Sequence, residues 1–473
     1  MPLAYSRAQS LARNQLLAHR ERNIAGGQII MILERSAKLR LLTVFLFYFT
    51  QGVPVGLFFY AIPAWLAMNG ASTLAVASVV SAAILPWTLK FFLGFFMDRY
   101  TYLPMGRRRV WIIGAQSTIV LMLLLAAIIS PGPKEIWLLS ILGFLANSGT
   151  AFQDVAIDSL AVDIMTEDER AKAAGVMFGG QTLGISATTF VGGQLIANYG
   201  TAAGYLIAAL IVSCVLVFGI CIREREGEGR FPWSNGKAHS RNVALQIDAW
   251  KPLLVNSARS MLAPLSLIAL VAFLVRSMPS GVAEAYHPGL ATNIGGWSQT
   301  DYTNTISAAQ FVFGIFALVL GGWIVAKIGA QRATLILCIG VAFCALTFGL
   351  ARSYWDDTSL LTAYFWQTEF FAIMLSVSCI PIAMRLCDPR VAATQFTLYM
   401  AASNVGRPLG NSVAAATDGM GAPHLMYFAL ASVFVALSLI FWFVRFPTNA
   451  PEVAEIIEAS GPVLAGGPVP RID

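Results

Sequence analysis

Residues 94–109 read GFFMDRYTYLPMGRRR: an apolar run too long for a soluble core helix ends in Asp98 and Arg99, then Gly106 leads into Arg107, Arg108 and Arg109. A shorter copy, GWIVAKIGAQR at 322–332, keeps Gly322, Lys327, Gly329 and Arg332, but has Ala326 where Asp98 stands. Gly94 maps to Gly322 at an offset of 228 residues, Gly106 to Gly329 at 223 and Gly184 to Gly406 at 222. Extra residues between Arg99 and Gly106 account for the drop. One junction written twice, at matching places in two halves, indicates a duplicated membrane bundle.

Composition agrees. The chain is 57 % hydrophobic and 12 % charged, against about 25 % charged for soluble domains. A hydrocarbon core about 30 Å thick needs roughly 20 apolar residues per helix. Twelve such runs stand at 41–66, 74–97, 110–130, 135–162, 173–198, 201–222, 262–290, 303–326, 333–350, 358–384, 392–416 and 424–444. Uninterrupted runs of this length select helices over barrel strands. The fold class is therefore all-α and integral to the membrane, with twelve helices in two six-helix pseudo-repeats.

The net charge of +6 is distributed by side of the membrane. Of the 31 Lys and Arg, 26 fall in the N-terminal tail, the even-numbered connections and the C-terminal tail; only Lys134 and Arg352 fall in the odd-numbered connections. This pattern predicts both termini in the cytoplasm and gives no reason to invoke nucleic acid. The expected partners are a small-molecule solute and the lipid bilayer, with the chain a monomer. All six cysteines lie in or beside membrane runs without metal-ligand spacing, so neither a metal nor a cofactor is expected.

The expected domains are a cytoplasmic tail at 1–40, a first six-helix half at 41–222, a cytoplasmic linker at 223–261, a second half at 262–446 and a cytoplasmic tail at 447–473. The linker opens as REREGEGRFPWSNGKAHSR and reads as a solvated tether; its later part, 244–261, reads either as more tether or as an amphipathic element with Trp250 at headgroup depth. From Ala459 the chain is Gly, Pro and small residues, and disorder is expected. The Arg-rich tail fits a positive flank or a transit peptide, and translation starts at Met1 or Met31.

The 94–109 junction resembles the loop signature of major facilitator transporters. Its long spacing resembles the muropeptide permease and acetyl-CoA transporter branch, as do AFQDVAIDSLAVDIM (151–165), ERAKAAGVMFGGQTLG (169–184) and ATQFTLYMAASNVGRPLG (393–410). The resemblance implies the major facilitator fold and proton-coupled import at the bacterial inner membrane, typically of anhydro-muropeptide, with the proton gradient as energy source. Siderophore import and acyl-CoA movement are the rivals within the fold. A membrane transferase or a transporter-like sensor or scaffold is the rival outside it. No phosphate-binding loop and no HEXXH or DXD-type site is present, so no enzymatic activity is expected.

Charges inside the membrane are costly and need explaining. Lys90, Asp154, Asp158, Arg276, Glu284, Glu369 and Arg407 lie on helices 2, 4, 7, 10 and 11, and none lies on helices 3, 6, 9 or 12, which the resemblance places on the outside. Arg276, Glu369 and Arg407 fall near mid-helix. Arg276, Arg407 and Lys90 are the candidate substrate-binding residues, because guanidiniums fork onto carboxylates. Glu369, Asp154 and Glu284 are the candidate proton-coupling residues, with a permanent Glu369–Arg407 ion pair as the alternative. Asp154 and Asp158, four apart, share a helix face, and Gln153 adds an amide beside them. These read as partners of Lys90, Arg99 or the Arg107–Arg109 cluster, or as proton or substrate groups. The triple arginine is expected to meet acids of adjacent loops or lipid phosphate, and Asp98 to face the N-terminus of a neighbouring helix. His287 and Pro279-Ser-Gly281 mark the outer part of helix 7. Glycines at 175, 179, 180, 184, 406 and 410 permit either sliding between the halves or static packing.

Overall fold

The computed structural model describes residues 31–449, apart from 70, 72, 248 and 298. Residues 1–30 of the expected N-terminal tail, with the candidate start Met1, and the Gly/Pro-rich C-terminus lie outside the described residues.

Twelve long helices follow one another: α1 (Ala37–Val55, prolonged by a π-helical turn at Gly56–Ala61 and by Ile62–Met68), α2 (Thr73–Leu89 and Phe91–Arg99), α3 (Arg109–Ile129), α4 (Ile136–Ile164), α5 (Glu167–Tyr199), α6 (Thr201–Cys221), α7 (Pro264–Arg276 and Met278–Gly289), α8 (Gln299–Phe316, a π-helical turn at Ala317–Gly321 and Gly322–Ile328), α9 (Ala330–Leu350), α10 (Thr358–Leu386), α11 (Ala392–Gly419) and α12 (His424–Phe443). Among the described residues nine helices are long and apolar enough to cross a membrane, and the two parts of α2, bent by 47°, make a tenth span. Helices α5 and α11, at 33 and 28 residues, have the length and are diluted by glycine and polar side chains.

Local chemistry sets the boundaries. Helix α5 starts on a capping box between Thr166 and Glu169, with Glu167, Asp168 and Glu169 in its first turn. Helix α10 starts where the Asp357 carboxylate accepts from the Leu360 amide. Pro86 removes a hydrogen bond from α2, which bends at Lys90. Pro279 has the same consequence in α7, where the break falls at Ser277, just N-terminal to the proline.

One apolar core joins both halves at the basic end, bringing Phe47, Met97 and Met177 together with Ala317, Met374 and Phe396. Towards the other end the core divides. One cluster, around Phe58, Leu123 and Tyr205, belongs to the first half, and another, around Phe348, Trp355 and Tyr427, to the second. The halves are fused at the basic end and parted at the other.

Glycines make the closest approaches. A Cβ on Gly184 would lie 2.0 Å from the Phe49 carbonyl oxygen of α1, and one on Gly406 would lie 1.9 Å from the Leu274 oxygen of α7. These contacts are within a half, as are those of Gly180 and Gly410. Only Gly175 and Gly179 of the series cross to the other half, against Ala317 and Leu318 of α8. Sliding between halves therefore concerns the first two positions alone.

The linker is not a solvated tether. Glu224, Arg225, Glu228 and Asn242 are all buried. Where it begins, Ile222 and Arg223 pair in parallel with Met31 and Ile32, forming β1 (Met31–Ile32) and β2 (Ile222–Arg223). A polar sequence reads as solvated, yet here the polar groups are consumed by orphan backbone donors at the base of the bundle. The amphipathic alternative holds for the later part: a helix at Trp250–Met261 buries Leu253 and Met261 and leaves Leu254 and Val255 exposed.

Candidate functional site

At the basic end the Gly94–Arg109 junction forms a buried charge lattice. Asp98 sits at the end of α2, fully buried. Its carboxylate accepts from the backbone amides of Ala393 (3.3 Å) and Thr394 (2.8 Å), the first turn of α11. That turn has no side-chain cap of its own, so a residue of the first half caps a helix of the second. Arg108 binds the same carboxylate and donates to the Met97 carbonyl (2.9 Å). Arg107 donates to the carbonyls of Pro389 and Arg390 and lies 3.8 Å from both Asp98 and Asp163. Arg109 ties the start of α3 to the linker through the carbonyls of Gly229 (2.6 Å) and Arg230 (2.9 Å). Burial lowers the Arg107 guanidinium to about 10, which leaves it charged at neutral pH. The alternative that these arginines meet lipid phosphate does not hold, since all three are buried and their terminal guanidinium nitrogens bond protein carbonyls and carboxylates.

The start of α3 is capped from the linker. Glu224 accepts from the backbone amides of Arg107 (2.8 Å), Arg108 (2.7 Å) and Arg109 (2.6 Å). Gly106 has φ of 109°, and a Cβ there would lie 2.6 Å from the Glu224 carboxyl carbon. Beside it Glu228 is pushed up to about 8, chiefly by burial and then by the neighbouring Glu224. Nothing in the sequence marks Glu224 out, because it lies more than 100 residues from the helix start that it caps. Arg99 is half-buried over the Tyr100 ring and gives its carbonyl to Gln246 (3.3 Å).

The second junction keeps the backbone features and loses the charges. Gly322 packs on Ala171 and Lys172 of α5, and Gly329 has φ of 91°. Lys327 is exposed and lies over its own neighbour Trp323, and Arg332 is exposed. The helix that this junction faces, α5, is capped by its own Thr166 and Glu169. Arg40 holds that glutamate (2.6 Å), and Arg385 of α10 reaches Glu167 across the halves.

Above the lattice lies a second buried group within the first half. Lys90, at the bend of α2, bonds Asp154 of α4 at 2.6 Å, and both are buried. Asp158, one turn on, accepts from the Tyr48 hydroxyl of α1. Gln153 donates to the Phe47 carbonyl (2.9 Å) and to Thr50 (3.3 Å), so its amide fastens α1 to α4. The structure thus brings Lys90, Gln153, Asp154 and Asp158 together and sets Lys90 apart from the two candidate substrate arginines.

The third group faces the gap between the parted halves. Glu284 of α7 and Arg407 of α11 pair at 3.2 Å with both side chains about half exposed, 51 % and 57 %. Glu369 of α10 is half-buried and hydrogen-bonded to Gln310 of α8. Arg407, Glu284 and Glu369 all lie within electrostatic reach of the exposed Tyr60 of α1. A permanent Glu369–Arg407 ion pair is absent among the described residues: the arginine has taken Glu284 instead, because both project from adjoining glycine-packed turns of α7 and α11. Arg276 is not part of this exposed group. It is buried, donates to Ser376 of α10 and lies over the Phe273 ring at 5.0 Å. His287 is buried against Phe365 and Tyr364 rather than solvated at a helix end.

Geometrically this is a two-half bundle closed at one end, with a charged, water-reached group between the halves. Residues 41–411 match the Major Facilitator Superfamily, and the chain belongs to that family; it is a multi-pass membrane transporter. It is 23 % identical over 379 residues to the anhydromuropeptide permease of Escherichia coli (strain K12), covering 76 % of this chain and 70 % of that one. It is 22 % identical over 384 residues to the putative transporter AmpG 4 of Rickettsia felis, covering 77 % and 87 %. Among solved structures it is similar to the proton:xylose symporter XylE bound to 6-bromo-6-deoxy-D-glucose, with a TM-score of 0.65, 12 % identity, and 90 % and 100 % of the two chains covered. It is also similar to the transporter FucP in the outward conformation, with a TM-score of 0.64, 12 % identity, and 85 % and 98 % covered.

Proposed function

We propose that this chain is a proton-coupled importer of an anionic solute of the anhydro-muropeptide class, working by alternating access in a bacterial inner membrane. The observation that carries the reading is the group of Tyr60, Glu284, Glu369 and Arg407, which joins one cation to two carboxylates on the exposed faces of α1, α7, α10 and α11. Arg407 offers a guanidinium fork to a substrate carboxylate. Glu284 then loses its partner, and the site carries one more negative charge than before. Proton uptake by Glu369 balances that charge, which is the physical link between cargo and proton. The permease and AmpG relatives support the choice of cargo class.

In this reading the basic, closed end faces the cytoplasm by the distribution of Lys and Arg, both termini lie on that side, and the chain described here is outward-facing. The Asp98 lattice holds the cytoplasmic side shut until cargo and proton are both bound.

The test is uptake into proteoliposomes with an imposed pH gradient, offered anhydro-muropeptides, siderophores and acyl-CoA in parallel. Gradient-dependent accumulation of the muropeptide alone is expected, with Glu369→Gln losing accumulation while retaining exchange. Accumulation that survives collapse of the gradient, or full gradient-driven uptake by Glu369→Gln, refutes the coupling assignment.

A further inference from the structure

Arg276 is the one intramembrane arginine described here that has no acid within ion-pair distance. It is only 8 % exposed and ends the first part of α7, where the helix breaks. A guanidinium carries five N–H donors and does not give up its charge in a protein. Here one of them, at Nη1, reaches the Ser376 hydroxyl, and Nε has no partner. The serine cannot supply countercharge, and its own hydroxyl donates to the Ala372 carbonyl (2.9 Å). The Phe273 face offers a quadrupole at 5.0 Å, which is weaker than an anion. Removing a buried cation's partner is among the costliest changes in a protein interior, so an arginine held this way calls for a counterion.

The space for one adjoins it. Arg276 lines a small, partly open cavity of about 20 Å³, room for a single small ion, between α7, α9, α10 and α12. Its polar wall is Gln367, Thr368 and Tyr364, and its apolar wall includes Val341, Phe371 and Leu430. None of the lining residues is acidic. All of them belong to the second half, so the cavity is not the gap between the halves where Arg407 and Glu369 lie. Its depth within one half also suits a small ion rather than a glycopeptide.

We propose that this cavity is a binding site for a small monovalent anion of the chloride class, held by the Arg276 guanidinium and solvated by the Gln367 side-chain amide. The anion neutralises the break in α7 and stiffens the second half; it is neither cargo nor coupling ion, so the site stands independently of the transport reading. Anion binding to the folded protein alone raises its unfolding temperature by mass action.

The experiment is thermal unfolding of the purified full chain in sodium chloride, sodium bromide and sodium gluconate at matched ionic strength. The halides are expected to raise the unfolding temperature over gluconate by on the order of 2 °C, and Arg276→Gln to abolish that difference. Ala372→Leu, which fills the cavity and leaves the guanidinium in place, is expected to reduce it and serves if the arginine variant does not fold. Bromide soaked into crystals should give an anomalous peak beside Arg276. An equal halide difference in wild type and both variants, or no difference in wild type, overturns the proposal.

Discussion

Gly94 on α2 and Gly322 on α8 occupy equivalent places in the two halves. A Cβ at the first would lie 2.7 Å from the Thr394 Cα, and a Cβ at the second 2.6 Å from the Ala171 oxygen. In each case a helix of one half lies against the N-terminal turns of a helix in the other. Beyond that the two junctions part. The first turn of α11 depends on Asp98 from across the interface, whereas the first turn of α5 carries its own Thr166–Glu169 cap. Separating α2 from α11 therefore strips a helix of its cap and leaves Arg108 without its acid. Separating α8 from α5 gives up packing, and the Arg385–Glu167 pair that also crosses the halves there runs from α10 rather than α8. The duplicated sequence kept its steric half in both copies and its electrostatic half in one. Opening of the basic end is resisted mainly on one side.

The strongest way to break this comparison is Asp98→Ala. It leaves buried guanidiniums uncompensated, at a cost to the closed state of about 3–5 kcal/mol. A cysteine placed at Thr394 should become reactive from the basic side, and the unfolding temperature should fall. Ala326→Ser, the matching change in the other copy, should move stability by no more than about 0.5 kcal/mol. Equal effects from the two would dissolve the asymmetry.

The steric half is tested by Gly94→Ala and Gly322→Ala. Both press a methyl group into backbone, so each should cost about 1–3 kcal/mol of the closed state. The two losses should be similar, read as unfolding temperature and as uptake. A large loss from only one of them would show that the second junction has relaxed.

A smaller effect comes from the acid pair under α3. Glu228 in the folded chain titrates at about 8, against roughly 4.3 when unfolded. Folding therefore favours its protonated form. The stability this contributes is complete below the unfolded value and is lost as pH climbs to about 8, where the ionised carboxylate faces Glu224. Glu228→Gln should remove that decline, unfolding at a higher temperature than wild type above pH 8 and at a similar one near the unfolded value. The same slope in variant and wild type would assign the decline to another group. The smallest effects should come from Lys327→Ala and Arg332→Ala, each within about 0.5 kcal/mol, because both side chains are exposed and make no ion pair among the described residues.

The sequence made the helix count legible because charge is scarce, so every interruption of an apolar run stands out. It also announced the asymmetry through Ala326. The partners of the charges were harder to read. Spacing put Asp154 near Lys90, but Tyr48 lies in an apolar run where nothing distinguishes a hydrogen-bonded hydroxyl from a packed ring. The depth of Arg407 and Glu369 along their helices suggested a pair, while the glycine contacts that turn Arg407 towards Glu284 are properties of the packed helices. The linker differs from its solvated appearance in the sequence for a related reason. Its acids look solvated until the free amides at the start of α3 are placed beside them.

Docking that linker has a mechanical result. From Ile222 to Gln246 it is bound to the first half, through β2, through Glu224 and through the Gln246 contacts with Thr101 (2.6 Å) and Arg99 (3.3 Å). What remains to bridge the halves is a rod, the 12-residue helix Trp250–Met261, about 18 Å long at 1.5 Å per residue, with a short joint at each end. A rod transmits compression as well as tension, which a slack tether does not. In the alternating-access reading proposed above, it works as a strut of fixed length, setting the radius of the swing and limiting how wide the basic end gapes.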